Sequence, residues 1–288
     1  MVFKFVGKPF IDKITIPEYD ALPCLRSSAI KDFVKSPAHY RWNQLNRDMD
    51  VDNKNFTFGS YVHAIILEPD TLERDFIVVD MKTRHNKEYY AAAAIAKKSG
   101  KSVILSAEKR DAEYIVENIN GDSYIMELLS DAYAEVSAAA KIGDVWIKAR
   151  MDAYLPERRI MIDIKTTGES IYWFGHNIKR WGYDLSAPFY MDCVNTAALE
   201  LGDESHGADT YLFLVIEKAA PFGAKIFKMS DNYLAVGRTK YMAAIPEFKK
   251  CLDSGVYPGY NNSTWEVIEA PRNELENLSE NQRTPEAE

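Results

Sequence analysis

The strongest constraint on the fold is a pair of strand-like segments, VWIKARMDAYL and RIMIDIK, separated by a short polar turn. Apolar residues recur at every second position in both segments, which is typical of β-strands, and the turn is short enough for an antiparallel hairpin. In the second strand, alternation places Ile160, Ile162 and Ile164 on one face. Asp163 and Lys165 then share the other face, where charges are costly to bury unless they are paired, bound to metal or used in chemistry.

The first strand of this hairpin ends in a further acid. Lys148, Arg150 and Asp152 share the face opposite its apolar residues, and antiparallel pairing brings Asp152 close to Asp163. Two neighbouring carboxylates repel each other, and their pKa values rise unless a cation lies between them. Hard oxygen ligands favour Mg²⁺ or Mn²⁺. A lysine beside such an ion, at Lys165, is the arrangement needed for metal-assisted phosphodiester hydrolysis.

Spacing alone leaves another interpretation open, namely a salt-bridged and half-exposed edge strand. Acid-x-Lys triplets also occur at residues 52–54, 80–82 and 247–249. The triplet at 80–82 is the main competitor because it follows the strand-like FIVV. It lacks a second strand that ends in an acid, and it is therefore the weaker candidate.

Composition excludes several classes of protein. The net charge of −8 argues against a protein that coats polyanions generally, although it permits an enzyme that meets DNA through a local basic surface. Three widely spaced cysteines without a CxxC pair indicate neither a disulfide framework, nor a zinc ribbon, nor an iron–sulfur cluster. No apolar run approaches the length of a membrane span, so we expect no membrane association and a cytoplasmic location.

The order of the segments predicts one α/β domain with a helical N-terminal part and a central mixed sheet flanked by helices. We expect an extended lead-in over residues 1–26, a single domain over 27–269 and a disordered acidic tail over 270–288. A long helix is expected to follow Pro188. Helix N-caps are expected at Ser27 or Ser28, Ser36, Ser106 and Ser230.

Together, RMD at 150–152 and DIK at 163–165 resemble the two halves of the PD-(D/E)xK nuclease motif. More narrowly, the chain resembles the RecE-type (exonuclease VIII-like) exonucleases of phages and prophages. Four further segments are similar to that family in the same order: SSAIKDFVKSPAHYRW, FGSYVHAIILEP, GYDLSAPFYMD and YPGY. The resemblance covers roughly residues 27–260 and implies a restriction-endonuclease-like core.

The resemblance also implies roles for individual residues. The implied metal ligands are His63, Asp152, Asp163 and the carbonyl of Ile164, and the implied catalytic residues are Lys165, Asp152, Asp163, Glu135 and Tyr190. Two of the assignments have open alternatives. Glu135 is equally consistent with a solvated charge on a strand. Ser186 stands where the family has a substrate-binding glutamine, and it could instead cap the helix that Pro188 begins.

The activity implied by the resemblance is Mg²⁺-dependent degradation of linear double-stranded DNA from 5′ to 3′, with Mn²⁺ as a substitute. It leaves a 3′ single strand for annealing-type recombination in a bacterial host. Expected partners are a phage single-strand annealing protein and further copies of the chain in a closed ring around DNA. The candidate DNA-binding residues are Arg150, Lys179, Arg180, Trp181 and Ser186, with a basic loop at 82–87 as a weaker candidate.

Two other functions stay open. One is a RecB-like nuclease with another polarity or a single-strand or flap substrate. The other is a catalytically silent DNA-binding module on a nuclease fold. The presence of His63, Asp152, Asp163 and Lys165 together argues against the silent module.

Overall fold

A computed structural model describes residues 7–46, 54–260, 265, 267–270 and 272. The expected acidic tail lies almost entirely outside the described residues, as do the first six residues of the expected lead-in. The division of the chain into a lead-in, a domain and a tail therefore stays a prediction.

A seven-stranded mixed sheet forms the centre of the molecule, as the alternating segments predict. Its path is β1-β5-β6-β7-β8-β9, and β2 pairs with β6 beside that path. The strands β3 and β4 form a separate parallel pair. The strand bounds are Phe10–Asp12 (β1), Leu25–Arg26 (β2), Phe76–Val79 (β3), Ser102–Leu105 (β4), Tyr133–Ile142 (β5), Val145–Leu155 (β6), Ile160–Thr167 (β7), Thr210–Glu217 (β8) and Ala224–Lys228 (β9).

Helices cover both faces of the sheet. Their bounds are Ile16–Ala21 (α1), Ser27–Lys35 (α2), Pro37–Leu45 (α3), Lys54–Leu67 (α4), Leu72–Asp75 (α5), Lys87–Lys98 (α6), Ser106–Asn120 (α7), Ser123–Ser130 (α8), Phe174–Asn177 (α9), Tyr183–Leu201 (α10) and Asp231–Ser254 (α11). Within the described part of the chain, no helix has both the length and the apolar character needed to cross a bilayer.

Two apolar cores lie on opposite faces of the sheet. On one face α2, α10 and α11 pack against residues such as Ile147, Met161 and Phe213. On the other, α4, α7 and α8 pack against residues such as Ile162 and Ile164. The predicted alternation in β7 is therefore confirmed, because its isoleucines enter the second core while its opposite side faces α10.

Helix N-termini follow the predicted caps in part. Ser36 accepts a hydrogen bond from the His39 N–H at 3.2 Å, and Ser230 accepts one from the Tyr233 N–H at 3.3 Å. Ser27 and Ser106 are instead the first residues of α2 and α7 and cap neither helix.

One local prediction was wrong. The helix expected after Pro188 begins earlier, at Tyr183, and includes this proline. Proline lacks the N–H that would bond the Asp184 carbonyl four residues earlier, and Gly237 of α11 lies against that carbonyl, where an added Cβ would lie 1.7 Å from its oxygen. Within the expected lead-in, a Thr15-capped helix, α1, follows β1.

Candidate functional site

The candidate site lies on strand β6, between the segment that pairs with β7 and the segment that pairs with β2. Pairing between β6 and β7 ends at Ala153 and Ile162, whereas the earlier part of β6 pairs with the short strand β2. Asp152 directly precedes Ala153 and therefore lies just outside the paired segment. Its Oδ2 accepts a hydrogen bond from the Ile164 N–H at 2.7 Å. The carboxylate thus occupies the space between strands that have begun to diverge.

Lys165 and Asp163 form an ion pair at this opening, on the face of β7 that alternation predicts. Lys165 Nζ also donates to the Ile164 carbonyl at 3.1 Å, and the Tyr211 hydroxyl donates to Asp163 Oδ2 at 3.2 Å. Burial by itself would raise the pKa of Asp163, but the Lys165 ammonium and the hydrogen bond with Asp152 together lower it. The carboxylate of Asp163 is therefore ionised and compensated by protein charge.

Asp152 shows the opposite behaviour. Burial and the neighbouring Asp163 carboxylate raise its pKa well above the usual value, and Lys165 only partly offsets them. Two adjacent acids with opposed pKa shifts share one lysine, so Lys165 alone does not compensate both carboxylates when they are ionised. A divalent cation is the usual remedy for this deficit.

A compact donor set beside Asp152 fits such a cation. Ligand atoms of His63, Glu135 and Asp152 all lie within 4.8 Å of one another, and His63 Nδ1 lies 3.5 Å from Asp152 Oδ2. Burial lowers the pKa of His63 to about 4, with a further contribution from Lys165, so its imidazole is neutral and able to coordinate metal at neutral pH. One nitrogen and two carboxylates suit a hard or borderline divalent ion.

Glu135 is held in this set by an unusual backbone conformation. Its φ is +58°, in the left-handed region that side chains other than glycine rarely adopt. The register of β5 and β6 pairs the residues on each side of it but omits Glu135 itself. Its carboxylate accepts a hydrogen bond from Arg150 Nε at 2.5 Å. The sequence alternative of a solvated charge does not describe this position, because Glu135 is half-buried and ion-paired.

Asp163 is not a member of the three-residue donor set. Its Oδ1 and the Ile164 carbonyl, the other expected metal ligands, are both bonded to Lys165. A cation on these oxygens requires the ammonium group to move away, because like charges repel. The metal roles of Asp163 and Ile164 stay predictions.

Strand alternation breaks at Asp152. Met151 and Tyr154 pack in the same core, and Ala153 and Leu155 pack in the other. Residues three apart on a regular strand point to opposite faces, so the strand twists between Met151 and Tyr154. The twist directs Asp152 toward Asp163. Period-two reasoning from the sequence could not have predicted the position of this twist.

The acids open into a cleft of about 320 Å³. Its lining residues are Tyr19, Arg26, Ser27, Ser28, Lys31, Arg150, Asp152, Asp163, Lys165, Tyr183, Ser186 and Tyr190. Three residues singled out from the sequence, Arg150, Ser186 and Tyr190, therefore do reach the site. Ser186 lies inside α10 and donates to the Gly182 carbonyl at 3.1 Å, so it caps no helix. Burial raises the pKa of Tyr190 well above its usual value, which keeps its hydroxyl protonated.

The remaining DNA-binding candidates lie outside the cleft lining. Lys179, Arg180 and Trp181 are exposed in the loop before α10, and the Arg180 guanidinium lies 5.2 Å from the centre of the Trp181 ring. The loop meets the cleft through Lys31, whose Nζ donates to the Trp181 carbonyl at 3.2 Å. Lys31 lies within the segment SSAIKDFVKSPAHYRW, but sequence reasoning gave it no role, because a single lysine on an amphipathic helix carries no distinguishing pattern.

The competing triplet lies elsewhere. Asp80 is exposed at the end of β3, in the separate two-stranded sheet. The basic loop beside it is also a poor candidate for DNA contact. Its Arg84 is buried and donates to Glu108 at 2.6 Å, so this cation is already used inside the protein.

Comparisons with known proteins agree with this fold. The Eubacterium rectale protein named "Putative exonuclease" has a similar crystal structure, with a TM-score of 0.61 and 18% identity over 93% of this chain and 98% of that one. At this identity the similarity shows a shared fold. The structure of SSO0001 is far less similar, with a TM-score of 0.28 and 16% identity over 69% of this chain and 95% of that one, and it carries no argument. No curated protein matches the sequence.

A family model described as a PDDEXK-like domain of unknown function (DUF3799) matches residues 26–268. This match confirms the PD-(D/E)xK part of the resemblance and supports a nuclease, but it does not single out the RecE type. Because the match spans most of the sequence, the chain belongs to this PDDEXK-like family.

Proposed function

We propose that the chain is a divalent-metal-dependent exodeoxyribonuclease that hydrolyses linear double-stranded DNA. One observation carries the proposal: Asp152 and Asp163 share Lys165 in an open cleft, beside a neutral histidine and a third acid. The opposed pKa shifts of the two acids are typical of functional sites, where charge is arranged for a ligand and not for stability. Membership in a PDDEXK-like family supports the same conclusion.

The donor set of His63, Glu135 and Asp152 would hold the cation, with Asp163 and the Ile164 carbonyl as further candidates. We propose Mg²⁺ as the natural ion, with Mn²⁺ able to substitute, because carboxylate oxygens dominate the set. When bound, such an ion stabilises the charge that develops on the scissile phosphate and makes water a better nucleophile.

The side chains of the protein supply charge and position. Burial by itself would lower the pKa of Lys165, but the two acids outweigh it and raise the pKa, so the lysine stays protonated at neutral pH. Its ammonium group can therefore offset negative charge on a phosphate or orient a water molecule. Arg150 is fixed by Glu135 and by the Ile14 carbonyl at 3.1 Å, which places a second cation in the cleft.

The polarity, the biological role and the partners rest on the resemblance to RecE-type exonucleases. It supports degradation from 5′ to 3′, a 3′ single-stranded product, and delivery of that strand to an annealing protein in a bacterial cytoplasm. It also supports a closed ring of identical chains around DNA, which would give processivity despite a net charge of −8. The mass of the purified protein in solution tests the ring, since a monomer contradicts it.

The decisive experiment uses linear duplex DNA labelled at either the 5′ or the 3′ end, with and without Mg²⁺. The wild type is expected to release nucleotides from 5′ ends in the presence of metal. The variants Lys165→Ala and Asp163→Ala are expected to release almost none.

Each other result has a defined meaning. Release that begins at 3′ ends, or only from single strands or flaps, points to a RecB-like nuclease of another polarity. Binding of DNA without any metal-dependent release points to a silent module. Unchanged release by both variants shows that the activity does not come from this cleft.

A further inference from the structure

Lys31 is a cation in the cleft to which the sequence assigned no role, although it lies within the segment SSAIKDFVKSPAHYRW. It lies on α2 and lines the cleft with Lys165 and Asp163. Its Nζ lies 5.4 Å from the centre of the Tyr183 ring, and Lys165 Nζ lies 5.6 Å from the same ring. One aromatic ring therefore contacts two ammonium groups that enter the cleft from different elements.

Among the described residues, no carboxylate forms an ion pair with Lys31. Within the described chain its hydrogen bond goes to the neutral Trp181 carbonyl, and none of the ion pairs involves it. Three nearby acids, Asp163, Asp184 and Asp32, act on it electrostatically. Each of these acids is bonded to a different cation: Lys165, Lys240 and Lys35.

Holding a half-buried ammonium group without an anionic partner costs free energy, so a protein retains one where it meets an anion. Burial lowers the pKa of Lys31 to about 8, and it is still mostly protonated at neutral pH. Its stem packs against Gly182, where an added Cβ would lie 3.0 Å from the lysine Cδ, so the side chain is held in place. Phosphate is the anion that DNA brings into this cleft.

We infer that Lys31 is a phosphate-binding residue that contacts the DNA backbone beside the scissile phosphodiester. The inference rests on the proposed function, because it assigns a substrate contact in the same cleft. The two lysines then have different roles. Lys165 interacts with the acids and with the scissile phosphate, while Lys31 binds a neighbouring phosphate of the DNA strand.

The test compares Lys31→Met, Lys31→Arg and Lys35→Met. Lys35 is a matched control because it lies on the same helix, is exposed, and pairs with Asp32 at 3.0 Å. Binding of a duplex oligonucleotide is measured by fluorescence anisotropy in the Lys165→Ala background, over a range of salt concentrations. In parallel, kcat and KM for linear duplex are measured with Lys165 intact.

Lys31→Met is expected to weaken DNA binding about tenfold or more, the value of one charge-assisted hydrogen bond. The slope of log affinity against log salt is expected to fall by about one, as for the loss of one phosphate contact. Lys31→Arg should restore most of the DNA binding. Lys35→Met should bind DNA as tightly as the Lys165→Ala protein without a second change. Thermal stability of Lys31→Met should not fall, because an unbalanced charge has been removed.

Equal binding and salt slope in Lys31→Met and Lys35→Met would overturn the inference. A lower melting temperature of Lys31→Met with an unchanged salt slope would do so too, by showing that the lysine only holds the Trp181 loop. If DNA binding depends on Lys31 while the wild type releases no nucleotides, the proposed hydrolysis fails and the phosphate contact stands. If no variant binds DNA, both fail.

Discussion

Two buried ionic clusters in this molecule differ in how completely their charges are matched. In the small β3–β4 unit, Arg84 contacts both oxygens of Glu108, at 3.3 and 2.6 Å, and also bonds the Tyr89 hydroxyl at 2.5 Å. In the cleft, Lys165 bonds Asp163, while Asp152 faces a neutral His63.

The difference separates a structural cluster from a candidate functional one. Glu108 is further fixed by the Leu105 N–H at 3.0 Å, so its charge is fully used where it lies. The cleft instead contains an acid, Asp152, whose pKa is raised because nearby cations only partly compensate its charge, and it has an opening to solvent. Burial of charge alone therefore says little about function, whereas incomplete compensation of buried charge points to a missing ligand.

The largest effect is expected from Asp152→Asn, which keeps the shape of the side chain and its hydrogen bond from Ile164. Nuclease activity should fall about 10³-fold, or about 4 kcal/mol in the barrier, when this charge is lost. Stability should not fall. Because the folded-state pKa of Asp152 is raised, the wild type loses stability as the pH rises through that pKa, and the variant lacks this loss.

Initial rates on linear duplex and urea unfolding at several pH values measure both parts of this prediction. Asp80→Asn, an exposed acid of the competing triplet, is the matched control and should leave rates unchanged. Similar rates for the two variants would remove Asp152 from the site.

The second effect concerns the Arg84–Glu108 cluster, where we expect a loss of stability without a loss of activity. Glu108→Gln removes the carboxylate that pairs with the buried Arg84 guanidinium, and the two side chains are only 9% and 10% exposed. The free energy of unfolding should fall by about 3 kcal/mol, while activity per folded molecule stays at the wild-type level. Urea unfolding measures the free energy of unfolding, and rates divided by the concentration of folded protein measure the activity.

Glu113→Gln on the same helix is the control, since Glu113 pairs with Lys109 at 2.5 Å with both side chains nearly half exposed. That change should cost less than about 1 kcal/mol. A loss of activity in Glu108→Gln at unchanged stability would reverse the roles assigned to the two clusters.

The sequence predicted most of the sheet because period-two segments are local signals. The hairpin of β6 and β7, the buried strand β8 and its partner β9 all lie where the pattern placed them. The short strands β1 and β2 were missed, since two or three residues carry no periodicity and form only by pairing with β5 and β6. The helix was predicted to begin at Pro188, whereas α10 begins at Tyr183 and includes this proline. The proline lies inside the helix where α10 packs closely against Gly237, a tertiary contact that the sequence does not reveal.

At the candidate site, sequence reasoning identified the residue types but not the geometry. Asp152, Asp163 and Lys165 came from the hairpin, and His63 came from the family resemblance. The strand twist at Asp152, the positive φ of Glu135 and the position of Lys31 are tertiary features, and none of them leaves a trace in spacing.

A third, smaller effect tests which cluster binds metal. At a concentration ten times its dissociation constant, Mg²⁺ or Mn²⁺ should raise the free energy of unfolding of the wild type by about 1.4 kcal/mol. Glu108→Gln should show the same increment from its lower starting point. Asp152→Asn should show almost none, because it loses one of the three clustered ligands.

Thermal unfolding across a metal titration measures these increments without any need for activity. Calcium is a useful additional probe, since it also binds carboxylate oxygens. An equal increment in Asp152→Asn and the wild type would place the metal elsewhere.

The smallest effect concerns the strained backbone at Glu135, which has no counterpart at Arg84 or Glu108. Glu135 has a φ of +58°, a conformation that costs an ordinary residue roughly 1 kcal/mol or more and costs glycine almost nothing. Glu135→Gly and Glu135→Ala remove the same carboxylate and the same contact with Arg150, so they differ only in the backbone. Glycine within a regular strand is normally the less stable of the two. Here Glu135→Gly should be more stable than Glu135→Ala by about 1 kcal/mol in urea unfolding, while both variants lose activity and metal stabilisation. If alanine is the more stable, the strand is regular at this position, and the positive φ cannot be what holds the third acid beside His63 and Asp152.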